Sequence, residues 1–204
     1  MENALLVVDV INGFAKEGSN KNMYCGNSAG IIGRLEKLTE SAVKKGVPLI
    51  YCTDAHIETD KELKRNGGPW DYHCMADTEE SEILDSLPQN GMITVKRNQK
   101  LDYKLGDASG ILRIDKGAYS AFYNTDLDGI LKDFGVKNVY IAGLVTGICV
   151  KHTAADAFFR GYNLKIVEDC TADVTLEGHK NAINYMKNNY SAEIITSGNA
   201  MEGL

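Results

Sequence analysis

Asn138-Val-Tyr-Ile-Ala-Gly-Leu-Val-Thr-Gly-Ile-Cys149-Val-Lys-His-Thr-Ala-Ala-Asp-Ala-Phe158 is the stretch whose reading decides the fold. Asn138–Ala142 has the apolar run of a buried strand, and Gly147–Gly161 reads as a helix after a glycine-bearing turn. The same alternation continues on both sides. Ala4–Val8 is an apolar run closed by Asp9, and Val47–Tyr51 is a second strand with Pro48 near its start, where a missing N–H matters least. Met92–Val95, Leu112–Ile114, Leu164–Val167 and Ala192–Ile195 read as further strands. Ile31, Ile32, Leu35, Leu38, Ala42 and Val43 recur at helical spacing over 28–45, and Gly46 stops that helix. Residues 79–87 read as a short helix. Thr125–Phe134 is another, with Thr125 as N-cap and Asp128 at N3, and Thr175–Asn189 a third. Continuous apolar strands between helices imply a parallel sheet covered on both faces. The expectation is an α/β fold: one domain over 1–204, a three-layer α/β/α sandwich with a mostly parallel sheet of about six strands.

The chain has 204 residues, with Lys+Arg 22 against Asp+Glu 28 and a net charge of −6. That balance argues against a nucleic-acid or anionic-membrane partner, since both select a basic face. The most apolar stretch, Val139–Val150, is too short to span a bilayer. Met1-Glu2-Asn3-Ala4 shows no basic n-region, so a cytoplasmic protein is expected. Five cysteines without a CxxC suggest neither a disulfide framework nor a zinc ribbon, and free thiols suit a reducing compartment.

In a parallel sheet of this kind the ligand site lies beyond the carboxyl ends of the strands. The polar residues there are Asp9, Asp54 with His56, Lys116, and the Leu144–Cys149 turn. Cys149 falls in the first turn of a helix, where free N–H groups and the helix dipole favour a thiolate. Those N–H groups also suit the oxyanion of a tetrahedral intermediate. Asp9 is placed to accept the thiol proton, and Lys116 to favour the charged forms of both. A dyad of Cys149 with His152, one helix turn on, is the weaker arrangement, because such pairs come from distant segments. Asp54-Ala-His56 puts two metal-ligand side chains on one side of an extended segment, and His73 adds an imidazole from the long irregular stretch 54–78.

Leu5-Leu-Val-Val-Asp9…Phe14, Lys116-Gly-Ala-Tyr-Ser-Ala-Phe122 and Ala142-Gly-Leu-Val-Thr-Gly-Ile-Cys149, in this order, resemble the isochorismatase-like cysteine hydrolase superfamily and, within it, the nicotinamidase/pyrazinamidase branch. The resemblance covers nearly the whole chain. It implies Asp9, Lys116 and Cys149 as a catalytic triad, and a cis bond between Val145 and Thr146 that turns the Val145 N–H toward the oxyanion beside that of Cys149. It implies a divalent metal held by Asp54, His56, Glu62 and His73, with Asp60 as the alternative to Glu62. Zinc leads, with manganese or iron as alternatives, since a mixed N/O set suits all three. Phe14 and Trp70 match positions whose rings sandwich a pyridine. The implied reaction is hydrolysis of nicotinamide to nicotinate and ammonia through a Cys149 thioester. The alternatives are hydrolysis of another small amide or ureido bond and, further off, an isochorismatase-type reaction, a branch that lacks the metal set. The implied partner is a small-molecule amide, and the superfamily's habit of forming dimers or tetramers implies a homo-oligomer.

The sequence departs from the family's usual pattern in places. Ile11 and Gly13 stand where polar residues are common, Gly67-Gly68 lies within a longer segment between Glu62 and His73, and 98–110 resembles an insertion. These departures bear on the substrate more than on the triad.

Overall fold

A computed structural model describes residues 2–100 and 110–204. Most of the 98–110 stretch, residues 101–109, lies outside the described residues. The strands are β1 (Asn3–Val8), β2 (Leu49–Asp54), β3 (Ile93–Val95), β4 (Ile111–Lys116), β5 (Asn138–Leu144), β6 (Asn163–Ala172) and β7 (Glu193–Ile195). They form one seven-stranded sheet in the order β3-β4-β2-β1-β5-β6-β7. Every pairing is parallel. The sheet is thus slightly wider than expected and wholly parallel, with three-residue strands at both edges.

The helices are α1 (Asn12–Ala15), α2 (Ile32–Lys44), α3 (Leu127–Asp133), α4 (Lys151–Phe159), α5 (Leu176–Asn189) and α6 (Ser197–Gly203). Side chains alternate across a strand, so β1 feeds both layers. Ala4, Leu6 and Val8 pack with Ile130, Ala154 and Met186 of α3, α4 and α5. Leu5 and Val7 pack with Leu35, Leu38 and Ala200 of α2 and α6. Burial on both faces explains why β2 and β4 carry no exposed position. No helix among the described residues is long and apolar enough to cross a membrane.

Local signals set several boundaries. Gly46 adopts φ 69 and closes α2, with Val47 N–H on Ala42 O and Gly46 N–H on Val43 O, the paired bonds of a Schellman cap. Thr175 caps α5 by accepting from Gly178 N–H. Other boundaries differ from the periodicity. Over 79–87 only Glu79–Ser81 forms a turn of 3₁₀ helix. Ile83 is drawn into an antiparallel bridge with Ile11, and Asn12 N–H and Leu84 N–H bond across to Glu82 O and Val10 O. Those long-range bonds outweigh weak local helical propensity. Helix α3 starts two residues after Thr125, whose hydroxyl is committed to Ala121 O and accepts from Leu127 N–H.

The strand order reverses around β1, which lies between β2 and β5, and the crevice beyond the strand ends opens there. Close approach is built in: Gly143 has φ 114, and a Cβ on it would stand 2.0 Å from Val8 O.

Candidate active site

Four neighbouring strands deliver the charged floor of this crevice. Asp9 follows β1, Asp54 ends β2, Lys116 ends β4, and Cys149 lies in the turn after β5. Asp54 and Lys116 are register partners, so parallel pairing itself sets them side by side. The Lys116 ammonium is fully buried and bonds Asp54 Oδ1. It also lies 2.8 Å from Asp9 Oδ2, 3.7 Å from Cys149 Sγ and 3.2 Å from Ala118 O. Asp9 is held in the sparsely populated left-handed region at φ 51, and its Oδ1 accepts from Asp54 N–H at 2.8 Å. Strain of this kind persists only where the surroundings over-determine it. Ligand atoms of Asp9, Asp54 and Cys149 all fall within 4.8 Å of one another.

The electrostatics divide the roles of these groups. Burial and then the Asp54 charge raise Asp9 to about 6, although Lys116 opposes them. For Asp54, burial is outweighed by Lys116 and His56, which hold its carboxyl well below the usual range. Burial works against charge on Lys116, yet its two carboxylates push its pKa well up, so it is a cation. Burial drives the Cys149 thiol well above the ordinary value, more than Lys116 lowers it. A low-pKa thiolate was expected from the helix terminus, and the reverse holds. Cys149 sits in a π-helical turn, Thr146–Val150, that precedes α4. The N–H groups of Ile148 and Val150 there turn to Val145 O, and that of Gly147 to Asp173. At neutral pH the resting pair is therefore a neutral thiol beside an ionised Asp9.

Beside this floor stand the candidate metal ligands. Atoms of Asp54, His56 and His73 lie within 4.8 Å of one another, all buried. His56 Nε2 lies 3.6 Å from Asp54 Oδ2 and 3.9 Å from Glu62 Oε2, and is buried without a hydrogen-bond partner. Each imidazole spends its other nitrogen elsewhere: His56 Nδ1 is 2.9 Å from Asp60 Oδ2, and His73 Nδ1 is 2.8 Å from Asp71 O. Such partners leave Nε2 of each ring as the nitrogen available to a ligand, the arrangement common to metal-binding histidines. The converging Asp54, His56 and His73 ligand atoms, with His56 Nε2 orphaned among them, fit a divalent cation. Burial opposes charge on His56, but Asp54 and Asp60 raise it to about 9, and burial with the Asp54 charge raises Glu62 to about 7. Asp60 is no alternative to Glu62. It lies on the far side of the His56 ring, with both oxygens on Arg97.

Above these groups is a cavity of about 90 Å³ whose lining includes Phe14, Trp70, Tyr119, Val145, Ile148 and Cys149, with Asp54, Glu62 and His73 on its polar side. The two glycines of the long loop shape it. Gly67 takes φ 87, and a Cβ on Gly68 would lie 2.2 Å from Lys61 O. The chain therefore doubles back, with Trp70 N–H bonded to Glu62 O, and brings ring and carboxylate to one wall. Trp70 Nε1 donates to Tyr119 Oη at 2.9 Å, and Phe14 lies 5.9 Å from the His73 ring. Tyr119 was missed as a wall residue, although it stands inside the Lys116–Phe122 block. Asn22, Met23 and Val174 also line the cavity and carried no signal in the sequence. His152 is exposed and turns Nδ1 to Ile148 O, so it makes no dyad with Cys149. No peptide bond among the described residues is cis, so Val145–Thr146 is trans, against the expectation. The departures at Ile11 and Gly13 are packing features: Ile11 pairs with Ile83, and a Cβ on Gly13 would meet Cys74 Sγ at 2.5 Å.

Comparison with known proteins gives the family. The isochorismatase domain model matches residues 3–102 and 96–198. The chain belongs to the isochorismatase family. Within that family, N-carbamoylsarcosine amidase from Thermoplasma acidophilum is 31% identical, with a TM-score of 0.77 over 97% of each chain. The pyrazinamidase of Pyrococcus horikoshii, solved in complex with zinc, is 29% identical, with a TM-score of 0.77 over 96% of this chain and 99% of that one. The ureidoacrylate amidohydrolase RutB of Rhizobium rhizogenes is 29% identical over 83% of this chain and 70% of its own length. The three relatives carry names for three different activities at similar identity, so they do not choose among substrates.

Proposed function

We propose that this protein is a metal-assisted cysteine amidohydrolase acting on a small, uncharged aromatic carboxamide, with nicotinamide the leading substrate. The observation that carries this reading is the make-up of the cavity. Phe14, Trp70 and Tyr119 line it beside Cys149, and no cationic side chain lines it among the described residues. Carbamoylsarcosine and ureidoacrylate each bear a carboxylate, which calls for an arginine or lysine partner. Lys116 does not serve, being fully buried and committed to Asp9 and Asp54.

Asp9, Lys116 and Cys149 do the chemistry. Asp9 accepts the Cys149 proton as sulfur attacks the amide carbon, so charge forms only when the substrate is in place. The oxyanion is held by the N–H of Cys149; one such donor is worth about 2.7–4 kcal/mol of barrier. Asp9 returns the proton to the amide nitrogen, the C–N bond breaks, and ammonia leaves a thioester. Asp9 then takes a proton from water, hydroxide adds to the thioester carbon, the C–S bond breaks to give the acid, and Asp9 returns its proton to the departing sulfur. Lys116 keeps Asp9 oriented and balances its charge throughout. Asp54, His56, Glu62 and His73 would hold the divalent ion, zinc first, which supplies an electrophilic anchor for a lone pair of the substrate.

Ammonia release from nicotinamide, pyrazinamide, N-carbamoylsarcosine and ureidoacrylate, each at equal concentration, tests the reading. The ring carboxamides should be turned over with the higher kcat/KM. A preference for either carboxylate-bearing ureido compound would overturn it, in favour of the ureido hydrolysis that two relatives' names suggest.

A further inference from the structure

We infer that Arg97 is a positioning residue for the metal site, acting through Asp60 on His56. The inference rests on the metal reading above and adds to it a residue that does not line the cavity. Arg97 Nη1 and Nη2 each lie 2.7 Å from an oxygen of Asp60, a two-pronged fork. Asp60 Oδ2 also meets His56 Nδ1 at 2.9 Å and the Ile57 N–H at 3.0 Å. The Asp60 side chain is 6% exposed and that of Arg97 20% exposed, so water competes little for these bonds. The fork fixes the carboxylate, and the carboxylate fixes the imidazole. With Nδ1 held as the donor, Nε2 is the nitrogen left facing Asp54 and Glu62.

A second, independent feature points the same way. Gly117 directly follows Lys116, and a Cβ on it would stand 2.2 Å from Arg97 Cζ. Gly117 does not adopt a positive φ, so its backbone has no need of glycine. Its lack of a side chain makes room for the guanidinium under Asp60. Edge strand β3 (Ile93–Val95) gains a purpose from this arrangement. Its pairing with β4 brings Arg97, two residues beyond its end, alongside Gly117.

The test measures zinc affinity of the full chain by competition with a chromophoric chelator, together with the melting temperature of the metal-free protein. Arg97→Ala should weaken zinc binding by about 10–100-fold, the usual effect of removing a partner of a ligating imidazole. Arg97→Lys, which keeps the charge and loses the fork, should fall between parent and Arg97→Ala. Gly117→Ala should also weaken binding, yet add nothing in the Arg97→Ala background, because both act through one contact. The visible bands of the Co²⁺-substituted protein should shift in Arg97→Ala, which a merely structural role would leave unmoved. Affinity within two-fold of parent for Arg97→Ala and Arg97→Lys, or independent losses in the double variant, would overturn the inference. If the parent itself takes up no zinc, the metal reading falls and this inference falls with it. If His56→Ala abolishes binding while the Arg97 variants bind normally, only this inference fails.

Discussion

Replacing Lys116 by Met tests the electrostatic design of the floor. Lys116 is fully buried and is the cation between Asp9 and Asp54, themselves nearly without exposure. Methionine keeps the length and removes the charge, leaving two carboxylates facing each other. Removing one partner of a buried ion pair costs about 3–5 kcal/mol. Here one ammonium serves two acids, so the upper half of that range is expected. For a chain of this size each kcal/mol moves Tm by about 2–4 °C, which gives a drop of about 8–20 °C at neutral pH. The sign of the pH dependence follows from Asp9. Its folded pKa is already raised to about 6 with the lysine present. Without the lysine it rises further. A folded pKa above the unfolded one gives stability that is present at low pH and lost as pH rises through the folded value. The gap between parent and variant should therefore be narrower at pH 5 than at pH 8, the part owed to Asp54 remaining at both. Thermal melts of both proteins with EDTA at the two pH values measure it. Adding Asp9→Asn, whose Oδ1 still accepts from the Asp54 N–H, should recover part of the loss. Melting temperatures that match parent at pH 8, or a gap wider at pH 5, would refute the reasoning.

Cys149→Ala should reduce ammonia release to background and leave Tm within a few degrees of parent, checked by calorimetry; retained amidase activity would remove the thioester route. Trp70→Phe keeps a ring on the wall and loses the hydrogen bond to Tyr119. At about 0.5–1.5 kcal/mol for that bond, KM should rise about 2- to 12-fold with little change in kcat, read from steady-state kinetics. His56→Ala should strip bound metal, measured by elemental analysis of the purified protein, and an unchanged metal content would exclude it as a ligand. Gly143→Ala forces a Cβ to 2.0 Å from Val8 O at φ 114, and should cost more than about 4 kcal/mol or abolish soluble expression.

The parts legible in the sequence were those that local chemistry decides. Gly46 could be read as a helix stop because a left-handed residue is needed there and nothing distant enters. Asp9, Asp54 and Lys116 could be placed on one edge because each ends an apolar run, and parallel strands put such ends together. The errors arose where distant residues decide. Residues 79–87 look helical until Ile83 meets Ile11, which lies far away in sequence. Asp60 looks like a ligand until Arg97 takes both its oxygens. The direction of the Cys149 shift depends on burial, and no short motif encodes burial. All seven strands were legible as apolar runs, the short edge pair at 92–95 and 192–195 included, although the sheet was expected to hold about six.

Two of the departures from the family's usual residues lie away from the cavity wall, and a third helps to build it. Ile11 and Gly13 differ from the family's usual residues, yet each serves a packing contact behind the pocket, with Ile83 and Cys74. Much of the cavity wall comes instead from the long loop and from the Lys116–Phe122 block. Trp70 is brought to the wall by the Gly67-Gly68 reversal and tied to Tyr119 by its indole N–H. That N–H is spent inside the wall, so the pair presents ring faces to the cavity more than donors. Asn22, at the same cavity, is exposed and supplies a neutral amide rather than a charge. Introducing a cation there tests whether wall charge governs specificity. Asn22→Arg should raise kcat/KM for a carboxylate-bearing ureido compound relative to nicotinamide, because it supplies the partner the cavity lacks. The change should appear in KM and weaken at high salt, since the new charge is exposed. An unchanged ratio between the two substrates would mean that discrimination arises nearer to Cys149, and the argument from the charge of the walls would fail.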